Sequence, residues 1–264
     1  MLFRVTVKSG AFAKIFIFIG VTLILFNIIG YFYYTEITVN NKYLLDTEPR
    51  TISEKEFWNG AYKINNETLE VYLYRLTELV SKRMLRIDSK HTKPKIFENW
   101  ILWIYAITKG YYEWSDTKRA IKLGGGFCSQ HAIVFNNLLR KQGIKSRILG
   151  LQGHVVNETL INGQWKVYDP DYNIVFNATL QDLENNPTQA YQTYLASGAP
   201  DSTAKNFEQA FATEADNFRY KKTVAYRGEK YYIEITSLYL VWIIPILLIL
   251  SGLKFQDLRS RTLV

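Results

Sequence analysis

The run Gly124-Gly125-Gly126-Phe127-Cys128-Ser129-Gln130-His131 is followed by the apolar set Ala132, Val134, Phe135, Leu138 and Leu139, which repeats every three or four residues as far as Gly143. This pattern reads as a glycine turn, a helix opening at Cys128 and a glycine cap at its end. Residues 146–151 are then β-like, residues 154–161 alternate, Asn162-Gly163 is a two-residue hairpin signal, and residues 164–169 return. A helix leading into a small antiparallel sheet is expected, which makes the fold α+β.

Cys128 falls in the first turn of its helix, where unpaired N–H groups and the helix dipole favour an anion and so a thiolate. Its amide is placed to donate to a developing oxyanion, and the preceding glycines are expected to let the backbone approach a substrate closely. The hairpin supplies the partners. With a two-residue loop Ile161 opposes Gln164, so opposed residue numbers sum to 325 and Val156 faces Asp169. His154 shares a face with Val156 and therefore with Asp169, diagonally across at about 7–8 Å between backbones. An imidazole beside a thiol takes its proton and later returns one to a leaving group, while a carboxylate orients the ring. Asp171 is the rival for the carboxylate role, although Pro170 argues against continued pairing. His131, three residues after Cys128 on the same helix, is expected to pack or cap locally, and His91, in a basic loop, to face solvent. The histidines lack the paired spacing of a zinc site.

In order along the chain, Gly126-Phe127-Cys128-Ser129-Gln130-His131-Ala132, Leu138-Leu139-Arg140-Lys141-Gln142-Gly143-Ile144-Lys145-Ser146-Arg147, His154-Val155-Val156-Asn157-Glu158 and Gly163-Gln164-Trp165-Lys166-Val167-Tyr168-Asp169-Pro170 resemble the core of the transglutaminase-like superfamily. The resemblance covers residues 124–170. It implies a papain-like α+β fold, with the cysteine helix packed on an antiparallel sheet, and a triad of nucleophile Cys128, base His154 and orienting acid Asp169. Where many members carry an aromatic two residues after the histidine, this chain has Val156. The aromatic or amide-bearing residue upstream on the oxyanion side has three candidates here, Trp100, Trp103 and Trp114.

Outward from this core, residues 15–34 and 235–253 are charge-free hydrophobic runs of 20 and 19 residues in a chain of 264. Each is long enough to cross a bilayer as a helix. The first ends in Gly30-Tyr31-Phe32-Tyr33-Tyr34, which offers no small-residue cleavage site and reads as an uncleaved anchor with an aromatic belt; Tyr239 and Trp242 mark the outer end of the second, and Pro245 is a candidate kink. The tail 1–14 carries Arg4, Lys8 and Lys14, and the tail 254–264 carries Lys254, Arg259 and Arg261 against Asp257. Basic flanks stay cytoplasmic, so both termini are expected inside and residues 35–234 form an extracytoplasmic domain. Of the net charge of +8, only +3 falls on those 200 residues, which is no nucleic-acid footprint. Within the domain, residues 35–65, including Asp46-Thr47-Glu48-Pro49, read as a surface connector. Helical spacing runs from Glu67 to Arg86 and from Phe97 to Gly110, the latter with Phe97, Trp100, Ile101, Ile104 and Tyr105 as core positions. Residues 182–189 and 197–205 are polar with weaker helical signals, and residues 230–234 are β-like.

With 48% hydrophobic and 15% aromatic residues the chain is not disordered, and a single cysteine excludes a disulfide framework or multi-thiolate metal site. The expected function is membrane-anchored, cysteine-dependent acyl transfer or amide hydrolysis through a thioester in a bacterial inner membrane. The substrate would be a peptide, a protein or an acylated glycan at the membrane surface, and no cofactor is implied. The alternative is a noncatalytic binding or assembly module with partners in envelope or exopolysaccharide biogenesis; a redox thiol lacks a resolving cysteine. The Asn-x-Thr sequons at Asn66, Asn157 and Asn177 are read as chance.

Overall fold

Among the described residues, five helices open on a side-chain cap that the sequence supplies, and these caps fix where the chain turns. Residues 9–32, 36–37, 51–212 and 217–262 are described by the structure, a computed structural model; the turn at 46–49, Tyr33, Tyr34, Arg4 and Lys8 lie outside them. Helix α1 (Ser9–Phe32) takes up the first apolar run. Ser53 and Glu56 form a reciprocal capping box that starts α2 (Glu54–Gly60), so part of the supposed connector is a helix, with Phe57 fully buried. Thr68 caps α3 (Leu69–Arg83), whose buried face is Tyr72, Leu73, Leu76 and Val80, and strand β1 (Leu85–Arg86) follows. Asn99 caps α4 (Trp100–Lys109), which ends at Gly110 with φ of 80°. The apolar stripe expected on α4 is displaced: Leu102 and Ala106 are buried, whereas Ile104 is 50% exposed. The segment is apolar around most of its circumference, and periodicity alone could not select the packed side.

Asp116 accepts from the Lys118 and Arg119 amides to start α5 (Thr117–Leu123). Strand β2 (Gly125–Gly126) pairs in parallel with β1 and leads directly into α6 (Cys128–Lys141). Strands β3 (Ser146–Leu151), β4 (His154–Ile161), β5 (Gln164–Asp169) and β6 (Ile174–Val175) come next. Helices α7 (Leu180–Asn185), α8 (Pro187–Ala196) and α9 (Asp201–Ala212), strand β7 (Phe218–Tyr220), and helices α10 (Thr223–Arg227) and α11 (Glu229–Thr262) complete the order. Residues 230–234, expected to be extended, are the opening turns of α11. They continue without a break into the second apolar run, so N–H groups of the residues ahead satisfy their carbonyls without a neighbouring strand.

The five-stranded sheet runs β6-β5-β4-β3-β7 and every pairing in it is antiparallel. The hairpin register is the expected one, from Ile161 opposite Gln164 to Asn157 opposite Tyr168. Asn162 and Gly163, with φ of 48° and 84°, make the type I′ turn that such a register needs. One sheet face meets α6 through Ala132, Ile133, Ile148 and Val155. The other, with Leu149, Val156 and Val167, packs on Leu180, Ala190, Tyr194, Phe207 and Phe211 of the three-helix layer α7–α9. Apolar burial on both faces makes this sheet the centre of its unit.

Two compact units divide the chain. One comprises residues 35–93 and 111–231 and holds the sheet; the other comprises residues 1–34, 94–110 and 232–264. In the second unit α1 and α11 provide two helices long and apolar enough to cross a membrane, over Ala11–Phe32 and Glu229–Asp257. They pack closely through glycine: a Cβ on Gly20 would lie 2.7 Å from the Pro245 carbonyl oxygen, and one on Gly252 2.8 Å from that of Ala13. Pro245 has no N–H to give to the Val241 carbonyl one turn earlier. The buried Asn27 side chain donates to that carbonyl instead, at 2.5 Å. Replacing Asn27 by Leu is therefore expected to cost about 0.6–2 kcal/mol of helix pairing, read as a lower melting temperature of the full chain in detergent. The loss should be smaller in a Pro245→Ala background, where the proline's missing donor returns; an equal loss in both backgrounds would sink the account.

Candidate active site

The turn that delivers Cys128 is shaped by glycine, in a different way from the one expected. Gly124 ends α5 with φ of 69°, a left-handed conformation that side chains disfavour. A Cβ on Gly126 would lie 2.4 Å from Gln130 Cβ. The glycine room is thus taken by the protein's own side chain, not kept for a substrate. Gln130 uses its place to grip the loop beside it: its Nε2 donates to the Trp114 carbonyl at 2.8 Å, and the Trp114 amide donates to its Oε1 at 2.6 Å. Of the three tryptophan candidates, Trp114 is the one fastened to the cysteine helix; Trp100 and Trp103 lie on α4. Phe127 occupies the extended N-cap position without a side-chain cap bond, so Cys128 opens α6 among amides that have no carbonyl one turn back.

Cys128, His154 and Asp169 come together. His154 Nε2 donates to Asp169 Oδ2 at 2.7 Å, and a hydrogen bond also joins the imidazole to Cys128. With Nε2 committed to the carboxylate, Nδ1 is the ring nitrogen left for the thiol. All three are buried, at 5%, 3% and 0% exposure respectively. Asp169 is saturated with donors: Oδ2 also accepts from the Tyr194 hydroxyl at 2.6 Å, and Oδ1 from the amides of Asp171 at 2.9 Å and Tyr172 at 3.3 Å.

These contacts fix the charges. Burial, the largest single influence on His154, disfavours its cation, but the Asp169 and Cys128 charges and hydrogen bonds outweigh it and hold the pKa well above the ordinary value. Burial likewise pushes Asp169 up, yet the His154 charge, His154 and Tyr194 bonds and the Asp171 amide hold its carboxyl below the usual range. Burial pushes the Tyr194 phenol far up, so it remains a donor.

The rival carboxylate is excluded by position. Asp171 Oδ1 stands 3.5 Å from both Arg86 Nε and His131 Nδ1, and burial raises its pKa. His131 packs locally as expected, its ring nitrogens facing the carbonyls of Phe127 and Met84 at 2.9 and 3.1 Å. His91 is exposed. Other residues of the motif have structural work: Arg147 bonds Glu158 Oε2 across the β3–β4 ladder at 2.7 Å and lies 3.9 Å over the Trp165 ring. Val156 is fully buried in the sheet core. The sequon residue Asn157 is fully buried too, and donates to the Ala132 carbonyl at 3.1 Å.

Two groups of residues escaped the sequence. The first is an aromatic cover over the imidazole, with the Phe207 ring 4.3 Å from that of His154 and 4.2 Å from that of Tyr194. Nothing in the sequence of the two helices that carry Tyr194 and Phe207 marks them as site residues. The second is a polar cluster beside Cys128. The Ser129 hydroxyl donates to Glu113 Oε1, Arg227 Nη1 donates to Glu113 Oε2 at 3.2 Å, and Arg227 also reaches the Glu113 carbonyl and Ser115 Oγ. Among the described residues no group of three or more His, Cys, Asp or Glu is arranged to hold a metal ion. No protein-family profile, curated protein or solved structure matches the chain.

Proposed function

We propose that the chain is a cysteine-dependent acyltransferase or amidohydrolase with a transglutaminase-like, papain-like core. Carrying this reading is one observation: a buried imidazole shared between the sole cysteine and a carboxylate saturated with donors. In the reaction, Cys128 Sγ attacks an amide or other acyl carbon, and the Cys128 amide stabilises the oxyanion. His154 gives its proton to the departing amine or alkoxide as the C–N or C–O bond breaks, leaving a thioester on Cys128. Water or a second amine then adds, His154 takes its proton, and C–S cleavage restores the thiolate. Asp169 holds the ring and balances the imidazolium throughout.

The setting proposed is a bacterial inner membrane, with α1 and α11 as spans, both termini cytoplasmic and the sheet-bearing unit outside. Peptides, proteins and acylated glycans at that surface are the substrate classes. Burial of the site under Phe207 and Tyr194 is the observation that favours the second reading, a noncatalytic assembly module. Incubating the full chain in detergent with p-nitrophenyl acetate separates them. An acyltransferase releases a burst of one nitrophenol per chain and leaves a hydroxylamine-labile acetyl group on Cys128, both absent from Cys128→Ser. Absence of both from the wild type would overturn the catalytic reading.

A further inference from the structure

A cavity of about 300 Å³ is lined by Tyr111, Glu113, Tyr226, Arg227 and Lys230. Its link to Cys128 runs through the next residue. Ser129 donates to Glu113, which lines the cavity, and the phenol of Tyr226, which lines it too, feels the charge of Cys128. Glu113 and Arg227 are 9% and 4% exposed, and they neutralise each other: both carboxylate oxygens of Glu113 are engaged, one by Ser129 and one by Arg227. Tyr111 is exposed and Lys230 half-buried; the Lys230 ammonium donates to the Tyr111 hydroxyl and stands 4.2 Å from its ring centroid.

The lining charges therefore reduce to a single positive one, that of Lys230. Among the lining residues Glu113 is the only acid and is already balanced. A monoanion matches a surplus of one, whereas a phosphate dianion would exceed it. A carboxylate also suits the donors available, an ammonium and tyrosine hydroxyls.

We propose that this cavity seats a carboxylate borne by the substrate of Cys128, with Lys230 as its charge partner and Tyr111 and Tyr226 as hydroxyl donors. The site thereby selects acyl substrates carrying a negative charge close to the scissile carbonyl, and the inference rests on the acyl-transfer reading above.

Two alkylating agents that differ by one charge test it. Iodoacetate and iodoacetamide both form an S–C bond to Cys128 and expel iodide, and the chain has no other cysteine, so each rate reports one thiol. On the full chain in detergent at low ionic strength, Lys230→Gln should lower the iodoacetate-to-iodoacetamide rate ratio about fivefold, Lys230→Glu should lower it further, and Lys230→Arg should restore it. A ratio in all three variants within twofold of the wild type overturns the carboxylate seat. If His154→Ala still suppresses labelling in that event, the nucleophile stands and only the seat is lost. A Cys128 that reacts with neither reagent overturns both.

Discussion

In the His154→Ala variant, alkylation of Cys128 by iodoacetamide at pH 6 is expected to fall about 30-fold. The imidazole's raised pKa means that it carries its proton across neutral pH beside the sulfur, where a cation stabilises the negative charge needed for attack. Without that cation the sulfur reacts as a free thiol does, of which only about 0.3% is thiolate at pH 6. The more basic thiolate is a better nucleophile and recovers about tenfold. Profile shape is the sharper readout: the climb of about tenfold per unit expected of a free thiol below its pKa in the variant, and a shallower one in the wild type. Parallel profiles would end the nucleophile-base account. The same shifts make stability depend on pH. For His154, raised above its unfolded value, the contribution is complete below about pH 6.5 and is lost as pH rises through the folded value. For Asp169, depressed in the fold, it is present above about pH 4 and lost as pH falls through the folded value.

Arg83→Ala should be the most damaging substitution outside the triad, lowering the stability of the sheet-bearing unit by about 3 kcal/mol. The side chain is fully buried. Its Nε donates to the Ile121 carbonyl at 3.0 Å, one Nη to that of Lys122 at 3.2 Å and the other to Glu36 at 2.7 Å. The two carbonyls belong to the last turn of α5, where no intrahelical donor remains, and that turn feeds Gly124, β2 and Cys128. Arg83→Met, which keeps most of the volume, isolates the lost hydrogen bonds from the cavity and should still cost about 2 kcal/mol. Denaturant unfolding followed by tryptophan fluorescence checks both, and a loss below 1 kcal/mol in each would show that the guanidinium is dispensable.

What the sequence disclosed depended on how local the signal was. Asn162-Gly163 dictates its turn through two positive φ angles, so the register through Asn157 and Tyr168 followed by counting, and with it the shared face of His154 and Asp169. Cys128 was legible because a glycine-flanked helix start is a feature of a few adjacent residues. Tyr194 and Phe207 were not: each is an aromatic on a helix with no motif around it, and their role exists only once α8 and α9 fold back over β4 and β5. The Glu113–Ser129–Arg227 cluster joins residues up to 114 positions apart, beyond any periodicity. The glycine run misled for a related reason, since the atom that needs the space at Gly126 is Gln130 Cβ, and only the folded turn brings it there. Residues 230–234 have β-forming side chains, but their covalent continuation into a long apolar helix decided their state.

The Asn27–Val241 bond has a consequence in time. Its two ends are 214 residues apart, and at synthesis rates of about 5–20 residues per second the second is made about 10–40 s after the first. In a bilayer, α1 would spend that interval carrying an unsatisfied amide among acyl chains, a state that costs free energy until α11 arrives. If α1 lies in a bilayer, a nascent chain halted before Val241 would keep that amide exposed to lipid. Pairing of the two helices would then be a late event, and an incomplete chain would carry a polar group that the finished one covers.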